Sequence, residues 1–428
     1  MKNILIAIRS IFKKGRHNVM KIVSLGIGLA VGLVLIAKVY FEQSYDDFYP
    51  DRDRVYQVWA KYQQNGGELK DYPQTSGGIA PTMQQQIPEI ETVTRYTSFG
   101  DWTFTMTDTK MKYSGRCIIA DSCFFDILPR PMLIGNAKEV LSTPMYVLIS
   151  SRIAKNIGGD VIGKNFTVDN SPGRTMTIGG VFEEVPENSH SRYDVIVSMA
   201  SAGRFMWEGS PTNMLGNDRY ISYVKLHKGV NPLALEEQVR TFVNSYFPPE
   251  EQQKVGLSID FSFHKLDNLH KELPQVKRMT WILSLLAFAL IFTAVMNYIL
   301  IVISSIVNRS KEVAVHKCYG ASENNIHGMM FGEALVHIVL SLILALLLIL
   351  AFRGTVEELL ATSLDSLLLS NGSLVLLGIC ILVFFVSGFM PGSLYARIPV
   401  ASAFRNYREN KRIWKKALLL VQFVATGF

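Results

Sequence analysis

The chain has 428 residues, of which 49% are hydrophobic and only 18% are charged, whereas a soluble domain usually carries about 25% charged residues. Its formal net charge of +7 could suggest a nucleic-acid partner, but the segments 1–21, 308–328 and 395–416 together hold 16 Lys and Arg against three acids, so the rest of the chain is net negative. Basic residues confined to short segments beside apolar runs indicate a membrane protein and argue against a DNA-binding surface.

The first 21 residues are a basic segment that we predict to be an amphipathic helix in the cytoplasmic membrane interface. Such a helix places its apolar face in the lipid and its basic residues beside anionic headgroups. The alternative is a frayed basic start that only sets the topology. The apolar face and the basic residues between its members are Ile4, Leu5, Ile8, Ile11, Phe12 and Arg9, Lys13, Lys14.

Four apolar stretches are long enough to cross the bilayer core as helices, which takes about 20 residues. The predicted spans lie at 22–41, 279–307, 329–353 and 373–394. We expect Lys38 in the first span to extend its ammonium group to the interface. The run 417–428 reaches only about 18 Å as a helix, and we interpret it as the start of a truncated fifth span. The first span is too long for a signal peptide, so we predict an uncleaved anchor.

The distribution of Lys and Arg predicts the orientation of these spans. Basic residues favour the cytoplasmic side, which places 1–21, the loop 308–328 and the linker 395–416 inside. The large segment 42–278 and the short loop 354–372, which has acids but no Lys or Arg, are then outside. The predicted fold class is an α-helical membrane protein with an inserted α+β extracytoplasmic domain, with four transmembrane helices plus a truncated fifth.

The segment 42–278 has the patterns of a domain with both strands and helices. Three stretches alternate or are rich in β-branched and aromatic residues, as half-buried strands are. One stretch has apolar residues at helical spacing after Asn231, a plausible N-cap. This mixture favours an α+β domain inserted between the first two spans. The predicted strands are Val55–Tyr62, Met176–Phe182 and Tyr220–Leu226, and the predicted helix is Pro232–Tyr246.

One stretch of the outer domain matches the beginning of a phosphate-binding loop. Gly158–Lys164 has the spacing G-x-x-x-x-G-K, but Asn165 stands where a Ser or Thr hydroxyl should hold magnesium. The preceding Ser151–Ile157 reads as a helix, whereas a phosphate loop follows a strand. We therefore predict a glycine turn and no nucleotide site.

No other pattern of the outer domain predicts a catalytic, cofactor or metal site. Its histidines lack ligand spacing, and Asp51 and Asp53 alternate with arginines, which favours a salt-bridged loop over a metal site. Cys117 and Cys123 could pair outside the cytoplasm, although unpaired cysteines are favoured. We predict no enzyme activity, catalytic residue, cofactor or metal ion for this chain. The scattered histidines are His190, His264 and His270.

Two features within the predicted spans concern helix packing and buried polarity. Gly28 and Gly32 form a small-xxx-small pair that lets a neighbouring helix approach closely, within the unit or against the second permease half. Glu333 and His337 lie four residues apart near the start of the third span, so both can face one side. Ionisable residues within spans are often functional, but Glu333 lies near the interface, which favours a structural role.

Several short sequence segments, taken in chain order, resemble segments of the MacB/FtsX-type permeases of ABC transporters, in particular of their large Bacteroidetes branch. No single segment is decisive, but together they cover nearly the whole chain on the same topology. They are 45–58, 121–128, 147–150, 163–164, 177–182, 184–190, 308–321, 387–392 and 398–405.

The resemblance implies four spans per unit, a MacB-like periplasmic core domain between the first two, and a separate cytosolic ABC ATPase. It assigns the loop 308–328 to contact with that ATPase, and the loop has charges of both signs on helix-compatible sequence before Gly320. The expected coupling residues are Arg309, Lys311, Glu312, Lys317 and Gly320. Residues 415–424 look like the start of a second copy, so the chain resembles the N-terminal half of a duplicated permease.

The implied function is that of a permease subunit in the bacterial inner membrane, which couples ATP hydrolysis by its partner to periplasmic movement for export or extraction of an envelope substrate. The alternative is an FtsX-like signalling subunit that regulates a cell-wall hydrolase, although FtsX-like outer domains are much smaller. Expected partners are the ATPase, a second permease half or a second copy of this chain, a periplasmic adaptor and the lipid bilayer, without nucleic acid.

Overall fold

The computed structural model describes residues 17–169, 171–304, 306–368, 372–396 and 420. The chain divides into two compact units, a helical unit of Met1–Gln43 with Pro274–Phe428 and an α+β unit of Ser44–Leu273. Most of the predicted interfacial helix 1–21, nearly all of the linker 395–416 and all but one residue of the truncated span 417–428 lie outside the described residues.

The α-helices of the described residues belong to both units. Helix α1 and helices α8–α13 form the helical unit, and α2–α7 lie in the α+β unit. In chain order they are α1 (Asn18–Gln43), α2 (Ile79–Gln86), α3 (Phe124–Ile127), α4 (Ala137–Ser142), α5 (Ser151–Ile157), α6 (Glu236–Tyr246), α7 (Pro249–Val255), α8 (Pro274–Ser304), α9 (Ile306–Cys318), α10 (Glu323–Ala351), α11 (Arg353–Leu360), α12 (Leu364–Leu368) and α13 (Ser373–Ala396).

The strands of the α+β unit form one mixed sheet. They are β1 (Val55–Gln64), β2 (Lys70–Tyr72), β3 (Ile90–Met106), β4 (Lys112–Ala120), β5 (Met132–Ile134), β6 (Tyr146–Ser150), β7 (Asn165–Val168), β8 (Ser171–Phe182), β9 (Val195–Ser198), β10 (Ile221–Leu226) and β11 (Leu257–Lys265). The strand order is β11-β1-β10-β3-β4-β9-β6-β8-β5, with β2 on β1 and β7 between β3 and β8. Only β4–β9 and β6–β8 are parallel among these pairs.

Among the described residues, three helices are long and apolar enough to cross a membrane, namely α1, α8 and α10. The apolar stretch of α13, Leu374–Ser387, is shorter than these three helices. The fourth span and the truncated fifth span therefore stay predictions. Helix α1 packs against α8 and α10 through buried residues such as Leu25, Leu29 and Ile299. Helix α10 begins before the predicted residue 329, and the outer loop 354–372 is largely helical because it contains α12 and most of α11.

The expectation that Lys38 extends to the membrane interface stays a prediction, but the structure shows which groups its ammonium nitrogen contacts. Its ammonium nitrogen is buried, 2.6 Å from a carboxylate oxygen of Glu42 and 2.7 Å from the hydroxyl oxygen of Thr362. A buried charge is costly unless it is paired and hydrogen-bonded, and both requirements are met here. Lys38 therefore links α1 to the segment between α11 and α12, within the helical unit.

The predicted strands of the α+β unit are confirmed as β1, β8 and β10, with β1 and β8 longer than expected. The predicted helix is divided into a 3₁₀ turn, Pro232–Leu235, and α6, and the Asn231 side chain accepts a hydrogen bond from the backbone N–H of Leu233. Helices α2 and α6 cover one part of the sheet, where Met83 and Phe242 pack in one apolar cluster with residues of β1 and β10. Two further clusters complete the core.

Candidate coupling sites

The turn between α9 and α10, in the helical unit, is hydrogen-bonded to the ends of both helices. Gly320 has φ +83°, a conformation that other residues adopt only with strain. The backbone N–H of Tyr319 donates to the carbonyl of Val315, and that of Ala321 donates to the carbonyl of His316. Ser322 caps α10 through its hydroxyl oxygen, which accepts from Asn325 N–H. Because both helix ends are capped, the turn has a defined shape.

Helix α9 has one buried and one exposed side. Val313 and Ala314 are fully buried in the apolar core of the helical unit, together with Ile326 of α10. Val315 is exposed, and Tyr319, one helical turn later, is 89% exposed. The exposed surface of α9 is therefore attached to a close-packed core through Val313 and Ala314.

The predicted coupling residues are distributed over this same segment. Glu312 and Lys317 lie on α9 and are partly buried, and Gly320 forms the turn. Arg309 and Lys311 also lie on α9, but their side chains are outside the described residues. Tyr319 was not among the predicted coupling residues, although it is a large aromatic residue beside a helix-ending glycine in a charged segment.

The glycines of α1 lie where other helices approach. A Cβ at Gly28 would overlap Ala294 of α8, and a Cβ at Gly32 would overlap Ile291 of the same helix. Small residues permit such close backbone contact between helices in membranes. The pair therefore contacts α8 within the helical unit.

A buried polar group connects three helices of the helical unit. The Tyr298 hydroxyl of α8 lies 3.2 Å from Nδ1 of His337 in α10. The Ser341 hydroxyl, which has a single proton to donate, lies 2.8 Å from the carbonyl oxygen of His337 and 3.1 Å from that of Ile22 in α1. Glu333 is also buried on α10. These contacts specify how α1, α8 and α10 pack, which is consistent with a structural role for His337.

A second polar group, the Asp46 cluster (Asp46, Ser189, His190 and Tyr223), lies inside the α+β unit. Asp46 is fully buried, and its carboxylate is 2.7 Å from Nδ1 of His190 and 3.0 Å from the Ser189 hydroxyl. On the other side of the imidazole, Nε2 is hydrogen-bonded to the Tyr223 hydroxyl. Burial raises the pKa of Tyr223 well above its ordinary value, so its phenol stays protonated.

The Asp46 cluster resembles an acid–base–hydroxyl arrangement, in which Asp46 is fully buried and the His190 side chain is mostly buried. Its effect is to join the segment after α1 to the 184–190 segment, since Asn188 also accepts from the Asp46 backbone N–H at 2.9 Å and donates to the Ser44 carbonyl at 2.7 Å. The sequence showed only a scattered histidine, because Asp46 and His190 are 144 positions apart.

The glycine-rich stretch of the α+β unit is not arranged as a phosphate loop. It follows α5, as predicted, and leads into β7 at Asn165. Gly158, Gly159 and Gly163 all have positive φ, and the Gly163 backbone N–H donates to the carbonyl of Ile178. The stretch is therefore a turn that is hydrogen-bonded through its backbone to β8.

The remaining predicted features of the α+β unit have ordinary structural roles. Asp51 pairs with Lys225 at 2.6 Å and with Arg54 at 3.1 Å, which confirms the salt-bridged loop. These cations hold the pKa of Asp51 below its usual value. Cys117 and Cys123 are free thiols, and burial raises the pKa of both. Within the described ranges, no group of acidic, His or Cys side chains could hold a metal ion.

The apolar helices and the inserted α+β domain define a class, a membrane protein with a large extramembrane domain. Residues 20–242 match the model of the MacB-like periplasmic core domain, and residues 284–400 match that of the FtsX-like permease C-terminal domain. The chain belongs to the MacB/FtsX-type permeases of ABC transporters. These matches and the apolar helices fit an inner-membrane protein with a periplasmic domain, and the family implies an ABC ATPase partner.

Two solved structures are similar to the α+β part of the chain. One is a domain assigned to a permease of Porphyromonas gingivalis, with 33% identity and a TM-score of 0.47, covering 51% of this chain and 91% of that one. The other is the extracellular domain of the ABC-type transporter YknZ from Gram-positive bacteria, with 11% identity and a TM-score of 0.34, covering 48% of this chain and 98% of that one. The chain has no significant match among curated protein sequences.

Proposed function

We propose that this chain is the subunit through which a separate cytosolic ATPase drives movement of the α+β unit in the periplasm, for export or extraction of an envelope substrate. The observation that carries the proposal is the α9–α10 turn, which is anchored in the core by Val313 and Ala314 and exposes Val315 and Tyr319. A subunit driven by a partner's ATP hydrolysis needs a rigid, exposed contact of this kind.

The proposal includes a topology of four spans with the N-terminus and the loop 308–328 in the cytoplasm. The positive-inside distribution of Lys and Arg supports it. It also includes a second permease half or a second copy of this chain in the membrane, and a periplasmic adaptor. We favour export over regulation of a cell-wall hydrolase because the α+β unit has a large sheet with several apolar clusters.

The first test concerns Tyr319. An exposed tyrosine that fills a partner's pocket commonly contributes about 2 kcal/mol or more to binding, roughly 30-fold in affinity. Tyr319→Ala should therefore reduce copurification of the ATPase with the full-length permease at matched membrane levels. Trp281→Ala is the control, because Trp281 is similarly exposed but lies near the other end of α8. Equal loss in both variants, or in neither, would contradict the assignment of the turn.

The second test reverses one predicted charge on α9. Glu312→Lys changes the surface offered to the ATPase and can leave a partner charge unpaired, which costs roughly 2–5 kcal/mol of binding. Glu312 is only partly buried, and ion pairs that remain in contact with solvent contribute only about 0–1 kcal/mol, so abundance in the membrane should change little. Recovery of the ATPase and its stimulation by the permease should fall together. If both stay at the wild-type level, the loop only sets the topology.

A further inference from the structure

Four charged residues join the two chain connections of the α+β unit in an alternating ring, called here the base ring (Asp47, Arg52, Asp267 and Lys271). Lys271 Nζ lies 3.2 Å from Asp47 and 2.9 Å from Asp267. Arg52 lies 3.4 Å from each of the same two carboxylates. Each cation thus bridges both acids, and each acid contacts both cations.

The ring links two segments that are far apart in sequence. Asp47 and Arg52 belong to the segment 44–52, which follows α1 directly, whereas Asp267 and Lys271 belong to 266–273, which leads directly into α8. A stacked pair joins the same two segments, since the rings of Tyr45 and His270 are parallel within 6° at a centroid distance of 3.4 Å. Both covalent connections to the helical unit therefore run through one cross-linked group.

The electrostatics of the ring differ from those of a solvated surface pair. Its members are about one-quarter to one-third exposed. Burial alone would raise the pKa of Asp267, but hydrogen bonding and charge from Lys271, with the charge of Arg52, hold that pKa below its ordinary value. For Lys271, burial lowers the pKa, and the two carboxylates more than compensate and raise it. Isolated exposed pairs contribute little, whereas networks of several charges can stabilise a geometry.

We propose that the base ring and the Tyr45–His270 stack fix the spacing of the two connections, so that movement of α1 and α8 displaces the α+β unit as a whole. Without the ring, each connection yields separately, and part of the movement is lost in stretching the segments. The ring members are thus positioning residues. The inference rests on the proposed function for the origin of the movement, but the fixed spacing can be measured without it.

The test measures the distance between spin labels on cysteines introduced at Asp53 and Glu272, which are exposed neighbours of the ring. It uses the full chain in lipid nanodiscs, with all four native cysteines replaced by serine or alanine. Arg52→Glu with Lys271→Glu makes all four ring positions acidic. Lys110→Glu with Lys228→Glu changes the net charge equally at two exposed lysines elsewhere in the unit, and Arg52→Lys with Lys271→Arg keeps the alternation. The wild type and both control variants should give one narrow distance, and the all-acidic ring should give a broad distribution.

Two further measurements distinguish an effect of the ring from a general folding defect, and test the ring independently of the proposed function. Raising the salt to about 1 M shortens the screening length to about 3 Å, so the wild-type distribution should widen with no substitution at all. With the partner ATPase and ATP, labels at Asp108 and Leu359 should show a distance change in the wild type. The all-acidic ring should lose that change while ATPase stimulation persists, because the α9–α10 turn is untouched.

The results discriminate between the two ideas. A narrow Asp53–Glu272 distance that survives both charge reversal and high salt would overturn the ring as a spacer. A distribution that is already broad in the wild type would do the same. If the ring behaves as expected but the wild type neither binds nor stimulates the ATPase, the proposed function fails and the fixed spacing stands.

Discussion

Replacing His190 by alanine should detach the segment after α1 from the core of the α+β unit. The substitution removes the imidazole between the buried Asp46 carboxylate and the Tyr223 hydroxyl. Asp46 keeps the Ser189 hydroxyl at 3.0 Å and the backbone N–H of residue 190 at 3.3 Å, but it loses its nearest side-chain partner. A cavity also forms where the ring was.

The magnitude follows from these lost contacts. Removing the hydrogen-bond partner of a buried carboxylate costs about 1–3 kcal/mol or more, and leaving the Tyr223 hydroxyl without its imidazole partner adds about 1–3 kcal/mol. Partial rearrangement reduces the sum, so we expect about 3–5 kcal/mol. At about 2–4 °C for each kcal/mol in a domain of this size, the unfolding midpoint of the α+β unit should fall by roughly 10 °C.

The assay is hydrogen exchange on the full-length protein in detergent, combined with thermal unfolding. Protection should fall first in 44–49 and in the 184–190 segment, because Asp46 and Asn188 join them. His264→Ala is the matched control, since His264 is a partly buried histidine of β11 that stacks on Trp59 and has no buried charge as a partner. If His190→Ala changed protection no more than His264→Ala, the Asp46 cluster would not hold this segment.

Three further outcomes are expected. Gly28→Leu should destabilise the helical unit by about 1–3 kcal/mol through overpacking against Ala294, and Ala294→Gly should restore part of the loss in thermal unfolding. The exposed thiol of Cys318 should resist an impermeant maleimide in intact cells and react in inverted membrane vesicles, and the reverse pattern would refute the topology. The folded pKa of Asp267 is below its ordinary value of 3.8. The carboxylate should therefore contribute fully to stability above pH 3.8, and this contribution should be lost as the pH falls through the folded pKa. Asp267→Asn should abolish this pH dependence in acid unfolding curves.

Local patterns predicted the elements of this fold wherever one physical cause dominated. The strands β1 and β10 follow from alternation of apolar and polar residues, and the α6 region follows from helical spacing after the Asn231 cap. The glycine turn at 158–164 was also predictable, because its preceding helix and Asn165 both contradict a phosphate loop. Each of these predictions depends on residues that lie close together in sequence.

The polar clusters were not predictable because their members are distant in sequence. Asp46 pairs with His190, and Asp47 pairs with Lys271 across 224 positions, so neither spacing nor composition reveals them. Lys38 is a further example, because its residue type and its place near a helix end did not reveal its contact with Thr362. Only the packed structure brings Thr362 close enough to Lys38 for burial to be favourable.

The two units together suggest how a permease subunit driven by a partner's ATP hydrolysis could transmit movement. On the cytoplasmic side proposed here, Val313 and Ala314 anchor the exposed surface of α9 in a close-packed core, which yields little under load. In the α+β unit, the Asp46 cluster fixes the start of the chain segment, and the base ring joins that start to its end. Polar contacts are suited to this task because their geometry is directional, whereas apolar contacts can slide. Under the proposed function, the charges of the Asp46 cluster and of the base ring preserve the direction of movement at the two chain ends of the α+β unit.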